Sequence, residues 1–159
     1  MVEEYQQFYT NYKNKLFNYL RYKSGNSEVA QDIMQESFTR HFKHYGRQAV
    51  ISPTLLFTIA RNTLVDYQRR QNRFYNTNVP AQAATPDEES VFITKEAHAH
   101  IHEAISLLPE QDREILVLAI GGMSYKEIAA IFDISIANVK IKNHRSRIKL
   151  RKILNDKVQ

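Results

Sequence analysis

The chain has 159 residues, a formal net charge of +5 and no cysteine. Its length accommodates two small helical domains or one ordinary domain, and the lack of cysteine excludes a disulfide framework and a thiolate zinc site. The N-terminus opens with acidic and aromatic residues rather than a signal peptide, and no apolar run approaches the ~20 residues of a membrane span. These properties predict a cytoplasmic protein that does not insert into a membrane.

Charge is distributed in three blocks along the chain. Residues 1–73 hold 11 Lys and Arg against 6 Asp and Glu, residues 74–96 hold 1 against 4, and residues 97–159 hold 10 against 7. The middle block contains two prolines and lacks a periodic apolar pattern, which is typical of a flexible linker. We therefore predict a first domain over 1–75, a linker over 76–96 and a second domain over 97–159. The acidity of the linker fits either simple solubility or a place in a basic channel.

The first domain shows helical periodicity and almost no strand-like alternation. Three helices are predicted: one from Glu3 to Lys23 that ends at Gly25, one that begins after Ser27 and ends at Gly46, and one with Ser52 as N-cap and Pro53 in its first turn that continues to about Arg73. The expected inner positions of the last two helices are Ala30, Ile33, Met34, Ser37, Phe38, His41 and Phe42, followed by Leu56, Ile59, Ala60, Thr63, Leu64 and Tyr67. These helices are expected to share one core.

The outer side of the third helix combines an amide, a carboxylate and several guanidinium groups. They are Arg61, Asn62, Asp66, Arg69, Arg70 and Arg73. Such an edge suits contacts with phosphates and bases. The same domain carries 14 of the 17 Phe and Tyr residues, and we expect most of these rings to fill the core and a minority to stack on unpaired bases.

The second domain carries the pattern of a helix-turn-helix. Ser124 and Glu127 have the spacing of a capping box, which predicts a helix that starts at Tyr125. Asp133 tolerates the left-handed backbone of a tight turn, and Ser135 can serve as N-cap of the next helix. This order of signals favours a DNA-binding motif over a solvated, lysine-rich terminal helix.

The second helix of this motif presents three faces at helical spacing. The packing face carries Val139, Asn143, Ser146, Leu150 and Ile153. The recognition face, expected to contact bases in the major groove, carries Asn138, Ile141, Lys142, Arg145 and Lys149. A flank expected to contact phosphates carries Lys140, His144, Arg147 and Arg151.

Two blocks of this sequence resemble bacterial RNA polymerase sigma factors. Segments 32–38, 56–62 and 66–70 resemble regions 2.2 to 2.4, and segments 108–114 and 124–129 resemble region 4. Nothing between the blocks resembles region 3. This arrangement resembles the compact extracytoplasmic-function (ECF) group of the sigma-70 family.

The resemblance implies an all-helical protein of two domains that binds core RNA polymerase, recognises the −10 and −35 promoter elements and promotes DNA melting for transcription initiation. It implies contacts with the polymerase clamp helices through Asp32, Gln35 and Glu36, and a contact with the flap. Melted −10 DNA would meet Gln48, Arg61, Asn62, Asp66, Arg69, Arg70 and Arg73, and the loop from Gly46 to Ser52 would accept a flipped base. Duplex −35 DNA would meet Asn138, Lys140, Ile141, Lys142, His144, Arg145 and Arg147. The family also implies an anti-sigma partner and a monomer when free.

Four positions depart from the family pattern. Leu55 stands where the family often has tryptophan, Asp133 replaces the usual glycine of the turn, and Asn143 and Ser146 replace small or apolar residues on the packing face. We expect these exchanges to weaken or alter promoter preference rather than abolish function.

Two other functions stay open at this point. A stand-alone helix-turn-helix regulator would bind duplex DNA without polymerase, and the six histidines raise a metal-dependent helical enzyme. Of the alternating His98, His100 and His102, however, only the first and last share a helical face, and zinc needs further ligands; His41 and His44 are spaced to pair. No glycine-rich phosphate loop, nucleophile elbow or matched acid/base pair is present, so we expect no enzymatic activity, metal or cofactor.

Overall fold

The structure is a computed structural model that describes residues 2–48, 51–75 and 100–158. The chain divides into two compact units, Met1–Pro86 and Asp87–Gln159, which we call the first and the second unit. Within the described ranges all regular structure is helical, which confirms the predicted fold class. None of the helices in those ranges is long and apolar enough to cross a membrane. The predicted linker over 76–96 lies outside the described residues.

Three long helices form the first unit: α1 (Val2–Ser24), α2 (Ser27–Gln48) and α3 (Pro53–Tyr75). Each helix packs against the other two. Their shared core buries aliphatic and aromatic side chains completely, among them Leu16, Tyr19, Leu20, Ala30, Leu56, Phe57 and Ala60. Each buried large side chain contributes about 1.5–3 kcal/mol relative to an exposed one.

The helix ends of the first unit follow local signals. Gly25 ends α1 with a left-handed backbone, φ 69°, which glycine adopts without steric cost. Asn26 then caps α2, because its Oδ1 accepts the amides of Glu28 and Val29 at 2.8 and 3.2 Å. Ser52 caps α3 as predicted, since its Oγ accepts the amide of Leu55 at 3.1 Å.

Two expectations for α2 are wrong. The helix does not stop at Gly46 but continues to Gln48. A Cβ at Gly46 would meet nothing within 4 Å, so the glycine fills an ordinary helical position at a modest cost in propensity. Phe42 is 48% exposed rather than buried; its ring lies at the edge of the core, 4.8 Å from that of Tyr5 in an edge-on arrangement.

The second unit contains a helix over residues 100–106 (α4), then α5 (Glu110–Ile120), α6 (Tyr125–Phe132) and α7 (Ile136–Val158). α5, α6 and α7 pack against one another. Their common core includes Ile115, Leu116, Leu118, Ile128 and Val139, all at most 2% exposed.

The turn between α6 and α7 is built as the sequence predicts. Both bonds of the capping box form at the start of α6 between Ser124 and Glu127, at 3.1 and 3.3 Å. Asp133 ends α6 with φ 55° and ψ 49°, a left-handed conformation that Asp tolerates. Ser135 then accepts the amide of Asn138 at 3.0 Å and starts α7. This confirms the helix-turn-helix.

Candidate nucleic-acid interface

The three predicted faces of α7 differ in exposure as expected. On the packing face, Val139, Asn143 and Ser146 are buried, and Leu150 and Ile153 are half-buried. On the recognition face, Ile141, Arg145 and Lys149 are exposed, and Asn138 and Lys142 are half-buried. The phosphate flank is exposed throughout, at Lys140, His144, Arg147 and Arg151. α7 therefore presents cations and a polar ring outwards over several turns.

Lys142 has a protein partner that its sequence position does not reveal. Its Nζ lies 3.6 Å from Oδ1 of Asp112, in the first turn of α5. The two side chains are only 29% and 22% exposed. In contrast with Arg145, this member of the recognition face is held against a neighbouring helix.

Asn143 connects the two helices of the motif. Its side chain is 2% exposed, and its Nδ2 donates to the hydroxyl of Tyr125, the first residue of α6, at 2.8 Å. Among the described residues its Oδ1 has no hydrogen-bond partner. Because Asn143 stands where the family has a small or apolar residue, one polar contact lies inside the packing between α6 and α7.

The predicted −10 residues lie along the outer side of α3. Asn62, Asp66, Arg69, Arg70 and Arg73 are exposed, and Arg61 is half-buried. Leu55, at the position where the family often has tryptophan, is half-buried in the first turn of the same helix. Gln48 is the last residue of α2, on the other side of the connection to α3.

Some residues predicted to bind the polymerase and some predicted to bind DNA line the same groove. The groove lies between α2 and α3 and has a volume of about 370 Å³. Asp32 and Glu36 line it from α2, and Asp66 and Arg70 line it from α3. Glu36 also accepts a hydrogen bond from Arg40 at 2.6 Å. Gln35 is exposed on α2 but is not part of the groove wall.

His41 has a structural position that the sequence only partly indicates. It is completely buried, its ring stacks on Phe8 with centroids 5.0 Å apart, and its Nδ1 lies 3.1 Å from the hydroxyl of Tyr5. Its Nε2 faces the backbone of Ser52, 3.1 Å from the carbonyl oxygen and 3.3 Å from the amide nitrogen. His41 thus ties α1 to the residue that caps α3.

Burial shifts the pKa of both polar groups in this contact. It lowers the pKa of His41 below 6.5, with His44 acting in the same direction and the Ser52 carbonyl against it. It raises the pKa of the Tyr5 phenol to about 12. The inward place of His41 on the stripe of α2 predicted its burial, which the structure confirms, but it did not reveal the partners on α1 and at the start of α3.

The histidines that raised a metal site do not form one among the described residues. No group of three His, Asp or Glu side chains there lies close enough to hold a metal ion. His100 and His102 are exposed on α4, and His98 lies outside the described residues.

Comparison with known proteins matches the two units separately. Residues 8–74 match the family model for sigma-70 region 2, and residues 98–150 match that for sigma-70, region 4. The chain is 31% identical to the ECF RNA polymerase sigma factor SigE of Mycolicibacterium smegmatis over 82% of this chain and 54% of that protein. It is 30% identical to the ECF RNA polymerase sigma factor EcfG of Rhodopseudomonas palustris over 82% of this chain and 74% of that protein.

The fold has a solved counterpart. It is similar to that of the sigma factor RpoE from Bartonella quintana, solved in complex with the anti-sigma factor NepR, with a TM-score of 0.66 and 20% identity over 96% of this chain and 98% of that one. The two family matches and the similarity to EcfG show that the chain belongs to the sigma-70 family of RNA polymerase sigma factors, in its ECF group. Its function is that of an alternative sigma factor in transcription initiation.

Proposed function

We propose that the two units divide promoter recognition: the first holds the melted −10 element, and the second contacts the −35 element as duplex. The observation that carries this division is the contrast on α7 between a buried packing face and an exposed Arg145 with its cationic flank. A helix of this kind, preceded by a capped helix and a tight turn, suits the major groove of duplex DNA.

In the second unit, base contact belongs to the exposed part of the recognition face. A guanidinium such as that of Arg145 forms paired hydrogen bonds with guanine in the major groove. Lys140, His144 and Arg147 contact the phosphates beside it and fix the position of the helix without conveying sequence information.

In the first unit, α3 supplies the groups for separated strands. Arg69, Arg70 and Arg73 form its exposed cationic edge, with the amide of Asn62 on the same side. Phe74 follows directly with 65% of its surface exposed. A ring at the end of such an edge can stack on an unpaired base, which contributes ~1–3 kcal/mol per base. The expectation that most rings of this unit fill the core is wrong. Six are core residues, namely Tyr5, Phe8, Tyr19, Phe38, Tyr45 and Phe57, whereas five are half-buried, namely Tyr9, Tyr12, Phe17, Tyr22 and Tyr67.

Contacts with core RNA polymerase are divided between α2 and the second unit in this proposal. Asp32, Gln35 and Glu36 are exposed there and bind the clamp helices of core RNA polymerase, while the second unit binds the flap. The sigma factor RpoE of Bartonella quintana was solved with an anti-sigma factor, and we propose a partner of that kind for this chain. The protein works in the cytoplasm, and nucleotide addition is left to the polymerase.

Run-off transcription on genomic fragments tests this proposal. With core polymerase from the same organism, the chain should produce transcripts from a discrete set of promoters. Arg145→Ala should weaken binding of the holoenzyme to promoter DNA by ~1–3 kcal/mol and relax preference at one position of the −35 element. Lys140→Ala is the matched control. It should weaken binding to all sequences alike and reduce the salt dependence by about one phosphate contact.

Two results would contradict the division. One is tight, sequence-specific binding of promoter duplex by the chain alone, together with no transcription when core polymerase is added, which favours a stand-alone regulator. The other is an Arg145→Ala protein whose promoter preference is unchanged.

A further inference from the structure

The ion pair between α5 and α7 has a consequence for DNA binding. Lys142 lies four residues after Asn138 and three before Arg145, so the three side chains share one face of α7. A helix that brings Arg145 to the bases therefore brings Lys142 to the DNA as well. Asp112 comes with it, because its Oδ1 lies 3.6 Å from the lysine nitrogen.

We propose that Asp112 is a specificity-determining residue: it holds Lys142 against α5 and withholds that cation from the DNA backbone. This inference rests on the proposed role of α7 at the −35 element. It assigns to Lys142 a different role from the base contact predicted from sequence.

The effect follows from how cations bind DNA. Each phosphate that a protein neutralises makes the slope of log affinity against log salt more negative by about 0.9, and this attraction is independent of sequence. Lys142 paired with Asp112 offers the DNA a neutral group. If DNA displaces Asp112, a carboxylate is left facing phosphates, which is unfavourable. The pair therefore reduces attraction to any DNA while Arg145 keeps its hydrogen bonds to the correct bases, and discrimination between sequences rises.

Asp112 also lies where it can stabilise the start of α5, and this role must be distinguished from its pairing with Lys142. Glu110 and Asp112 both lie in the first turn of α5, and the residue before that turn, Pro109, gives no side-chain cap. Acidic residues stabilise such a helix start through its dipole. Glu110→Gln and Asp112→Asn remove the same charge from the same turn, but only the second frees Lys142. The two variants form a matched pair.

The test uses holoenzyme assembled from the full chain and core polymerase. Two labelled duplexes of equal length serve as probes: the genomic fragment that gives the strongest run-off transcript, and a scrambled version of it. Affinity is measured over a fourfold range of salt. Because every variant is compared in the same holoenzyme, the contribution of the core enzyme cancels.

We expect Asp112→Asn to bind the scrambled duplex more tightly, with a slope steeper by about 0.9, which is about 3.5-fold more affinity lost over the fourfold range. The ratio of specific to scrambled binding should fall. Glu110→Gln should leave both slope and ratio unchanged, and the double variant Asp112→Asn with Lys142→Gln should return to the parental slope.

A second arm needs no change at Asp112. Lys142→Gln alone should weaken binding to both duplexes, because it leaves the Asp112 carboxylate unpaired beside the phosphates. It removes no phosphate contact, so the slope should stay nearly unchanged, whereas Lys140→Gln should reduce its magnitude by about 0.9. Equal reductions in slope for the two lysine variants would overturn the inference, as would equal slopes for Asp112→Asn and Glu110→Gln. Arg145→Ala separates this failure from that of the proposed function. If it relaxes preference at one position of the −35 element while Asp112→Asn has no effect, only the ion-pair inference is wrong.

Discussion

At the scale of single residues, His41 gives the first unit a dependence on pH. The folded chain favours the neutral imidazole, because burial lowers the pKa of His41 below 6.5. The unfolded chain takes up a proton at the ordinary pKa, so below pH 6.5 it binds more protons than the folded one. The free energy of unfolding should therefore fall as pH drops from 6.5 through the folded pKa, and this contribution should be complete above 6.5.

Nuclear magnetic resonance titration of the His41 ring checks this directly. The expected midpoint lies below pH 6.5. In thermal melts, the His41→Phe protein should lose less stability than the parental protein as the pH falls below 6.5. His44→Gln, a change at a half-buried neighbour, should retain most of that loss, because burial is the larger cause of the lowered pKa of His41. A His41 midpoint at or above 6.5 would show that the neutral form is not favoured.

At this scale the sequence predicted residues whose partners are close along the chain. Ser124 with Glu127, Asp133 and Ser135 could be placed because capping and turn geometry depend on neighbours within three or four residues. Lys142 was assigned to base contact because helical spacing gives its face but not its partner, Asp112, on another helix. The partners of His41 and Asn143 were missed for the same reason.

At the scale of helices, Tyr125 and Asn143 set how α6 and α7 pack. Tyr125→Phe should cost about 1–3 kcal/mol, because it leaves a buried amide without its hydrogen-bond partner. Adding Asn143→Leu should recover most of that loss, since removing both polar partners is nearly neutral. Hydrogen exchange of the α6 and α7 amides in the full chain measures the change in the second unit. A double variant that is no more stable than Tyr125→Phe would contradict the assigned role.

Two glycines in the first unit should respond in opposite directions to alanine. Gly46 lies inside α2 with open space around its Cβ position, so Gly46→Ala should stabilise by about 0.5–1 kcal/mol. Gly25 has φ 69°, so Gly25→Ala should destabilise by roughly 1–2 kcal/mol. Thermal unfolding of the two proteins shows whether each substitution raises or lowers the melting temperature. A lower melting temperature for Gly46→Ala would mean that α2 does not continue through residue 46.

The glycines also show what the sequence could and could not decide about the helices. Both precede a change in pattern, and glycine was interpreted as a helix end in each case. Only Gly25 ends one, because only there does the chain turn left-handed. The sequence predicted the existence and order of α1 to α3 and of α6 and α7 from apolar periodicity and capping residues, but it did not predict α4 or α5. A glycine in the sequence does not by itself distinguish a position inside a helix, as at Gly46, from a helix end, as at Gly25.

At the scale of the whole molecule, the proposed function assigns different parts of the promoter to two units with different exposed chemistry. The first unit has a cationic edge on α3 with an exposed ring at Phe74, and the second has a capped helix-turn-helix with exposed Arg145. Rings and cations suit separated strands, and a helix with a cationic flank suits duplex DNA. The family match in each unit, at residues 8–74 and 98–150, agrees with this division.

Site-specific photocrosslinking in the open complex tests the division most directly. A benzophenone amino acid would replace Asn72, exposed on α3, or His144, exposed beside Arg145 on α7, in holoenzyme bound to an active promoter. We predict that the probe at 72 crosslinks to −10 DNA only after melting, and that the probe at 144 crosslinks to the −35 duplex. Crosslinks from both positions to the same duplex segment, in a complex that still transcribes, would contradict the account.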